Sequence, residues 1–159
     1  NTITGRIGSY GWIWSDDGLT LAVKDLGAAV IYNYNSVKWV SRGSYNVLYE
    51  DGTSHSVTLV TISGDGLTVI VGSGDGTING LVWDGSLYGF AGRFTGTGTP
   101  RVSLSKNGEV AAVTFQQSTS CSFYVIKHGV GLLPGFPFTV NDTGDKTVGT
   151  KSWVTSDGS

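Results

Sequence analysis

The chain has 159 residues, of which 25 are glycine and only 14% are charged. The glycines follow no collagen-like period and separate short apolar runs, which excludes a fibrous or disordered chain and indicates one globular, turn-rich domain. The formal net charge of -2, with basic residues scattered along the chain, argues against a nucleic-acid partner. No apolar run reaches bilayer-spanning length, so we predict no membrane span.

A four-residue pattern, Ser or Thr, any residue, Asp or Asn, and Gly, recurs at intervals of 48, 42 and 50 residues. The four copies are Ser15–Gly18, Ser63–Gly66, Ser105–Gly108 and Thr155–Gly158. An alternating apolar segment precedes each copy, and a small or β-branched segment follows the first three. This arrangement predicts a β-hairpin with an Asx-Gly turn at its tip, repeated along the chain.

Two further strands follow each of the first three hairpins in the sequence. The predicted third strands are Ala28–Tyr34, Thr77–Trp83 and Ser120–Ile126. The predicted fourth strands are Val37–Val40 or Tyr45–Tyr49, then Leu87–Phe94, then Phe136–Val140. We therefore predict three units, 8–50, 51–97 and 98–145, with an outer strand before them, an inner strand after them, and no helix.

Four strands per repeat, a period of about 45 residues and the Ser-x-Asp-Gly turn resemble the blades of β-propellers. The similarity is to the WD-repeat-like and quinoprotein-like blades of secreted or cell-surface proteins, and Trp83-Asp84 stands where such repeats often carry a Trp-Asp dipeptide. The resemblance implies an all-β fold of about three four-stranded antiparallel blades. Since closed propellers need four or more blades, it also implies completion by missing sequence or by other copies.

Residues with catalytic or metal-binding chemistry are few and far apart. His55 and His128 are the only histidines, and neither lies in a nucleophile motif. The carboxylates occupy turn positions, and the loop Asn141–Asp145 keeps only part of a calcium-loop pattern. The single Cys121 cannot form an internal disulfide. We therefore predict no enzyme activity, no catalytic residue, no metal site and no cofactor.

Aromatic residues give the best indication of binding, because aromatic rings bind sugars and are enriched at protein interfaces. The predicted ligand-binding or interface residues are Trp12, Trp39, Trp83, Asp84, Tyr88 and Trp153. The alternative is that the tryptophans pack between blades. Asn141 begins an Asn-Asp-Thr sequon and is a glycosylation site if the source glycosylates secreted proteins.

These observations predict a non-catalytic structural protein that assembles with other copies of itself. We expect that a chain beginning at Asn1 has lost an N-terminal segment, either a secretion signal or the preceding part of a longer protein from which it was cut. With a secretion signal, the predicted location is extracellular or at the cell surface. One alternative is a lectin-like propeller that binds a glycan or a protein. A second alternative is a fragment of a larger propeller enzyme.

Overall fold

The computed structural model describes residues 11–117, 120–127, 131–132, 134–135 and 137–141. These residues form fifteen strands, arranged as three antiparallel sheets and one two-stranded hairpin, and they contain no helix. The predicted fold class, all-β with about three propeller-like blades, is confirmed. The described part of the chain has no helix long and apolar enough to cross a membrane.

Each sheet is made of strands that follow one another in sequence. Blade 1 contains β1 (Trp12–Trp14), β2 (Thr20–Asp25), β3 (Ala28–Tyr34) and β4 (Trp39–Tyr45). The small hairpin β5 (Val47–Leu48) and β6 (Ser54–His55) leads to blade 2, which contains β7 (Leu59–Ile62), β8 (Thr68–Gly72), β9 (Thr77–Trp83) and β10 (Tyr88–Thr95). Blade 3 contains β11 (Thr99–Leu104), β12 (Val110–Gln116), β13 (Ser120–Lys127), β14 (Gly131–Leu132) and β15 (Phe138–Asn141), and the last two both pair with β13.

The fourth strand of blade 1 differs from both segments that the sequence offered. β4 overlaps the end of the first segment and the start of the second, and the pairing of β3 with β4 skips Arg42, which forms a β-bulge. Gly43, beside the bulge, has a φ of 128°, a conformation that favours glycine. After the bulge, Gly43, Ser44 and Tyr45 continue to pair with β3, and the separate β5–β6 hairpin begins at Val47.

The Ser-x-Asx-Gly turns are held by their own side chains. The Ser15 hydroxyl donates to Oδ1 of Asp17 at 2.6 Å and accepts from the Thr20 amide at 2.9 Å, while the Leu19 amide donates to the same Asp17 oxygen at 2.9 Å. The hydrogen bond from Ser15 is the main reason why the pKa of Asp17 lies below its usual value. Equivalent bonds hold the turns at Ser63 and Ser105. Four residues thus suffice to fix each hairpin tip.

The hydrophobic core lies between the blades. One cluster joins blades 1 and 2, with Ile31 on blade 1 and Val69 and Leu81 on blade 2. A second cluster joins blades 2 and 3, with Ile70 on blade 2 and Phe115 on blade 3. Both clusters therefore lie at interfaces between neighbouring blades.

Neighbouring turns are also joined by backbone hydrogen bonds. The Asp16 amide donates to the Gly64 carbonyl, and the Asp65 amide donates to the Lys106 carbonyl, both at 2.8 Å. We call this row of three turns, Ser15–Gly18, Ser63–Gly66 and Ser105–Gly108, the turn girdle. It joins blade 1 to blade 2 and blade 2 to blade 3.

Candidate functional site

Four aromatic side chains lie together on one face of blade 1, which we call the aromatic face: Trp12, Trp14, Tyr34 and Trp39. Strand alternation places them on the same side, because Trp12 and Trp14 alternate on β1 and Tyr34 pairs directly with Trp39. The Trp39 ring lies 5.3 Å from the Trp14 ring, edge to face, and 5.4 Å from the Tyr34 ring. Trp12 is 59% exposed and Trp14 45% exposed.

The same positions in blade 2 are covered. Trp14 and Ile62 each end the first strand of their blade, and Trp39 and Tyr88 each begin the fourth. Blade 1 packs over the face of blade 2, where Ile62 is 6% exposed and Tyr88 2% exposed. The aromatic face of blade 1 is therefore equivalent to the face of blade 2 that blade 1 covers.

Trp83 and Tyr88, two of the predicted site residues, lie between blades 1 and 2. Their rings are 5.0 Å apart, and the Arg42 guanidinium carbon lies 5.0 Å from the centre of the Trp83 ring. The Tyr88 hydroxyl donates to the Gly66 carbonyl, and the Tyr88 amide donates to the Tyr45 hydroxyl at 3.1 Å. The contacts from Arg42 to Trp83 and from the Tyr88 amide to Tyr45 connect the two blades, whereas the other two lie within blade 2.

The remaining predicted site residues are not brought to this face. Asp84 lies in an exposed turn, where its carboxylate accepts hydrogen bonds from the amides of Leu87 and Ser86 at 2.9 and 2.8 Å, and these bonds lower its pKa. Asn141 ends β15, but its side chain lies outside the described residues. Trp153 lies wholly outside them.

Burial raises the pKa of Tyr88 to about 12. A group whose pKa is higher in the folded state stabilises the fold fully below the pKa of the unfolded chain, near 10, and loses that contribution as the pH rises to 12. We therefore expect the wild-type chain to lose stability between pH 10 and 12, and the Tyr88→Phe variant to lose less over the same interval. Urea unfolding at pH 8, 10 and 11.5 measures the difference. Equal pH dependence in both proteins would contradict the assignment.

A cleft of about 310 Å³ lies between blades 2 and 3. Its walls are mainly apolar and include Ile78, Phe94 and Ile126. The cleft exists because Gly80 has no side chain. Ile31, at the same position in the repeat, fills the interface between blades 1 and 2. The volume lies at the low end of the range for small-molecule pockets.

The ionisable side chains of the described residues do not form a candidate metal site. No three His, Cys, Asp or Glu side chains among them form a group that could hold a metal ion. Cys121 is buried, and burial raises the pKa of its thiol. Within the described part of the chain, the aromatic face and the cleft therefore offer binding surface.

No protein-family model and no curated protein sequence matches this chain. Solved structures with the same fold include Saccharomyces cerevisiae Sqt1 (13% identity, TM-score 0.61, covering 84% of this chain and 36% of that one). They also include the Pseudomonas aeruginosa periplasmic gluconolactonase PpgL (18%, 0.58, 83% and 39%) and the β-propeller domain of Swd1 from Myceliophteria thermophila (14%, 0.56, 91% and 45%). This chain thus spans less than half the length of each. At these identities the likeness establishes the fold alone.

The prediction that the chain is not an enzyme is wrong, because the blade fold of this chain also occurs in enzymes. Proteins with the same blade fold include one named as a gluconolactonase. The prediction depended on finding a nucleophile and a base in one local motif. A propeller brings side chains together from separate blades, so spacing within one segment says little about catalysis. The described residues have the blade fold of β-propellers, a fold that includes both enzymes and WD-repeat proteins.

Proposed function

We propose that this chain is an assembling sector of a β-propeller and that the aromatic face of blade 1 is its assembly surface. The observation that carries the proposal is the equivalence of Trp14 and Trp39 with Ile62 and Tyr88. The two blade 2 residues are buried between blades, whereas Trp14 is 45% exposed. An adjoining blade on this face would remove the rings from water, as blade 1 does for blade 2.

The ring geometry favours a protein partner over a glycan. A sugar stacks on a flat, open aromatic ring, but the Trp14 ring meets the Trp39 ring at 67° and the Tyr34 ring meets it at 46°. Tilted contacts of this kind are typical of packed aromatic clusters. A lectin-like role therefore has less support than assembly.

The proposal is tested by placing a charge on the aromatic face. Trp14→Glu should shift the chain to smaller species in light scattering, because burying the carboxylate at an interface costs several kcal/mol. Leu87→Glu is the matched control, since Leu87 is similarly exposed but lies in a turn away from this face. An unchanged mass for Trp14→Glu would contradict the proposal.

Two further measurements separate the remaining roles. Quenching of tryptophan fluorescence by a panel of soluble sugars would support the lectin-like alternative, and we expect none. A catalytic role is tested by measuring hydrolysis of gluconolactone by the full chain. This substrate is suggested by the name of one neighbouring structure.

An extracellular location stays a prediction, which export of the protein from its natural host would support.

A further inference from the structure

We infer that the partner on the aromatic face is blade 3 of a second copy, and that two copies close a six-bladed ring. The inference rests on the proposed function and names the partner. Two copies of three blades give six, within the four to eight blades of known propellers.

The turn girdle supplies the backbone complementarity. The second and third turns each accept a hydrogen bond at the carbonyl of their second residue: Gly64 accepts from the Asp16 amide of blade 1, and Lys106 accepts from the Asp65 amide of blade 2. In the first turn the corresponding acceptor is the carbonyl of Asp16. In the third turn the corresponding donors are the amides of Lys106 and Asn107. Donor and acceptor stand at opposite ends of the same row, so a second copy placed head to tail continues it.

The second residues of the turns supply the charge complementarity. A side chain at Gly64 would meet Cγ of Asp16 at 2.8 Å on one side and Cγ of Lys106 at 2.8 Å on the other. Second residues of adjacent turns are therefore direct neighbours. In the closed ring Lys106 of one copy stands next to Asp16 of the other, with opposite charges and no glycine between them.

The last residue of each turn supplies the steric fit. A Cβ at Gly66 would meet Cβ of Thr20 at 2.9 Å and Cβ of Ser15 at 3.3 Å, so this glycine lies directly against blade 1. Gly108 makes the same approach to Thr68 and Ser63. The counterpart in the first turn, Gly18, has no heavy atom of the described residues within 4 Å of its Cβ position. In the closed ring, Gly18 faces the third turn of the other copy.

The first experiment measures mass and the effect of Gly18. The chain should have twice its mass of 16.7 kDa in light scattering at micromolar concentration. Gly18→Ala should lower the affinity between copies at least tenfold. The matched control is Gly52→Ala, because Gly52 also has a positive φ of 81° and open space at Cβ but lies outside the girdle.

The second experiment identifies the neighbours. Isotopically light and heavy chains are mixed, joined with a carbodiimide, and analysed by mass spectrometry. A light–heavy link between Lys106 and Asp16 supports the ring, and Lys106→Gln should remove it. A single copy at every concentration, an open series of larger species, or no light–heavy link would overturn the inference. If Trp14→Glu dissociates the assembly while Gly18→Ala does not, the inference fails and the proposed function stands.

Discussion

Gly108→Ala should lower the free energy of unfolding by about 3 kcal/mol, whereas Gly18→Ala should lower it by only about 1 kcal/mol. Both glycines have a left-handed φ, 70° and 69°, so the backbone cost of alanine is the same at the two positions. They differ in surroundings, because a Cβ at Gly108 would lie 2.5 Å from Cβ of Thr68 and 3.2 Å from Cβ of Ser63. The added methyl must push blades 2 and 3 apart.

The measurement is urea unfolding at a concentration where light scattering records single copies, so that assembly does not contribute. Gly66→Ala provides the check within the girdle, since the corresponding Cβ meets Thr20 and Ser15 on blade 1. It should resemble Gly108→Ala in magnitude. Similar losses at Gly18 and Gly108 would show that backbone strain alone explains the glycines and that the close approach of the blades is unimportant.

Asn79→Leu should cost about 2 to 4 kcal/mol of folding stability, although leucine has a similar size. Asn79 is completely buried, and its amide group holds Leu48 twice: Oδ1 accepts from the Leu48 amide, and Nδ2 donates to the Leu48 carbonyl at 3.1 Å. The carbonyl keeps a second donor, Nε of Arg93 at 2.8 Å. The part-buried amide of Leu48 would lose its partner, which is the larger part of the expected cost.

The control for this prediction is Asn35→Leu. Asn35 also accepts two backbone hydrogen bonds, from Val37 and Lys38, but in an exposed turn where water can replace the side chain. We expect a loss of about 1 kcal/mol or less there. Hydrogen exchange gives a second readout, because the Leu48 amide should exchange faster in Asn79→Leu. Unchanged protection of that amide would contradict the assigned contact.

The sequence predicted the hairpins well because their information is local. The tetrad Ser63–Gly66 contains the hydroxyl, the carboxylate and the glycine that its own turn requires, and the structure shows all three in use. The strands Ala28–Tyr34 and Thr77–Trp83 were predicted with their exact bounds. The fourth strand of blade 1 was not, since the bulge at Arg42 depends on pairing with β3.

The aromatic face was predicted only in part. Trp12 and Trp39 were chosen as site residues, but Trp14 and Tyr34, which complete the face, were not. The available signal was the repeat itself, because aligning the tetrads places Trp14 with Ile62, and aligning the third strands places Tyr34 with Trp83. Composition alone does not separate the exposed Trp14 from the half-buried Trp83, because exposure depends on whether another blade stands alongside.

The sequence by itself determined the repeat, the turn chemistry and the all-β blades, because each is set by residues close together in the chain. Only the tertiary structure decided which faces are covered, that Gly64 separates Asp16 from Lys106, and that Asn79 holds Leu48 from 31 residues away. Those contacts join segments one repeat or more apart, and their geometry is set by how neighbouring blades pack. A local sequence pattern contains no information about the distance or the angle between neighbouring blades.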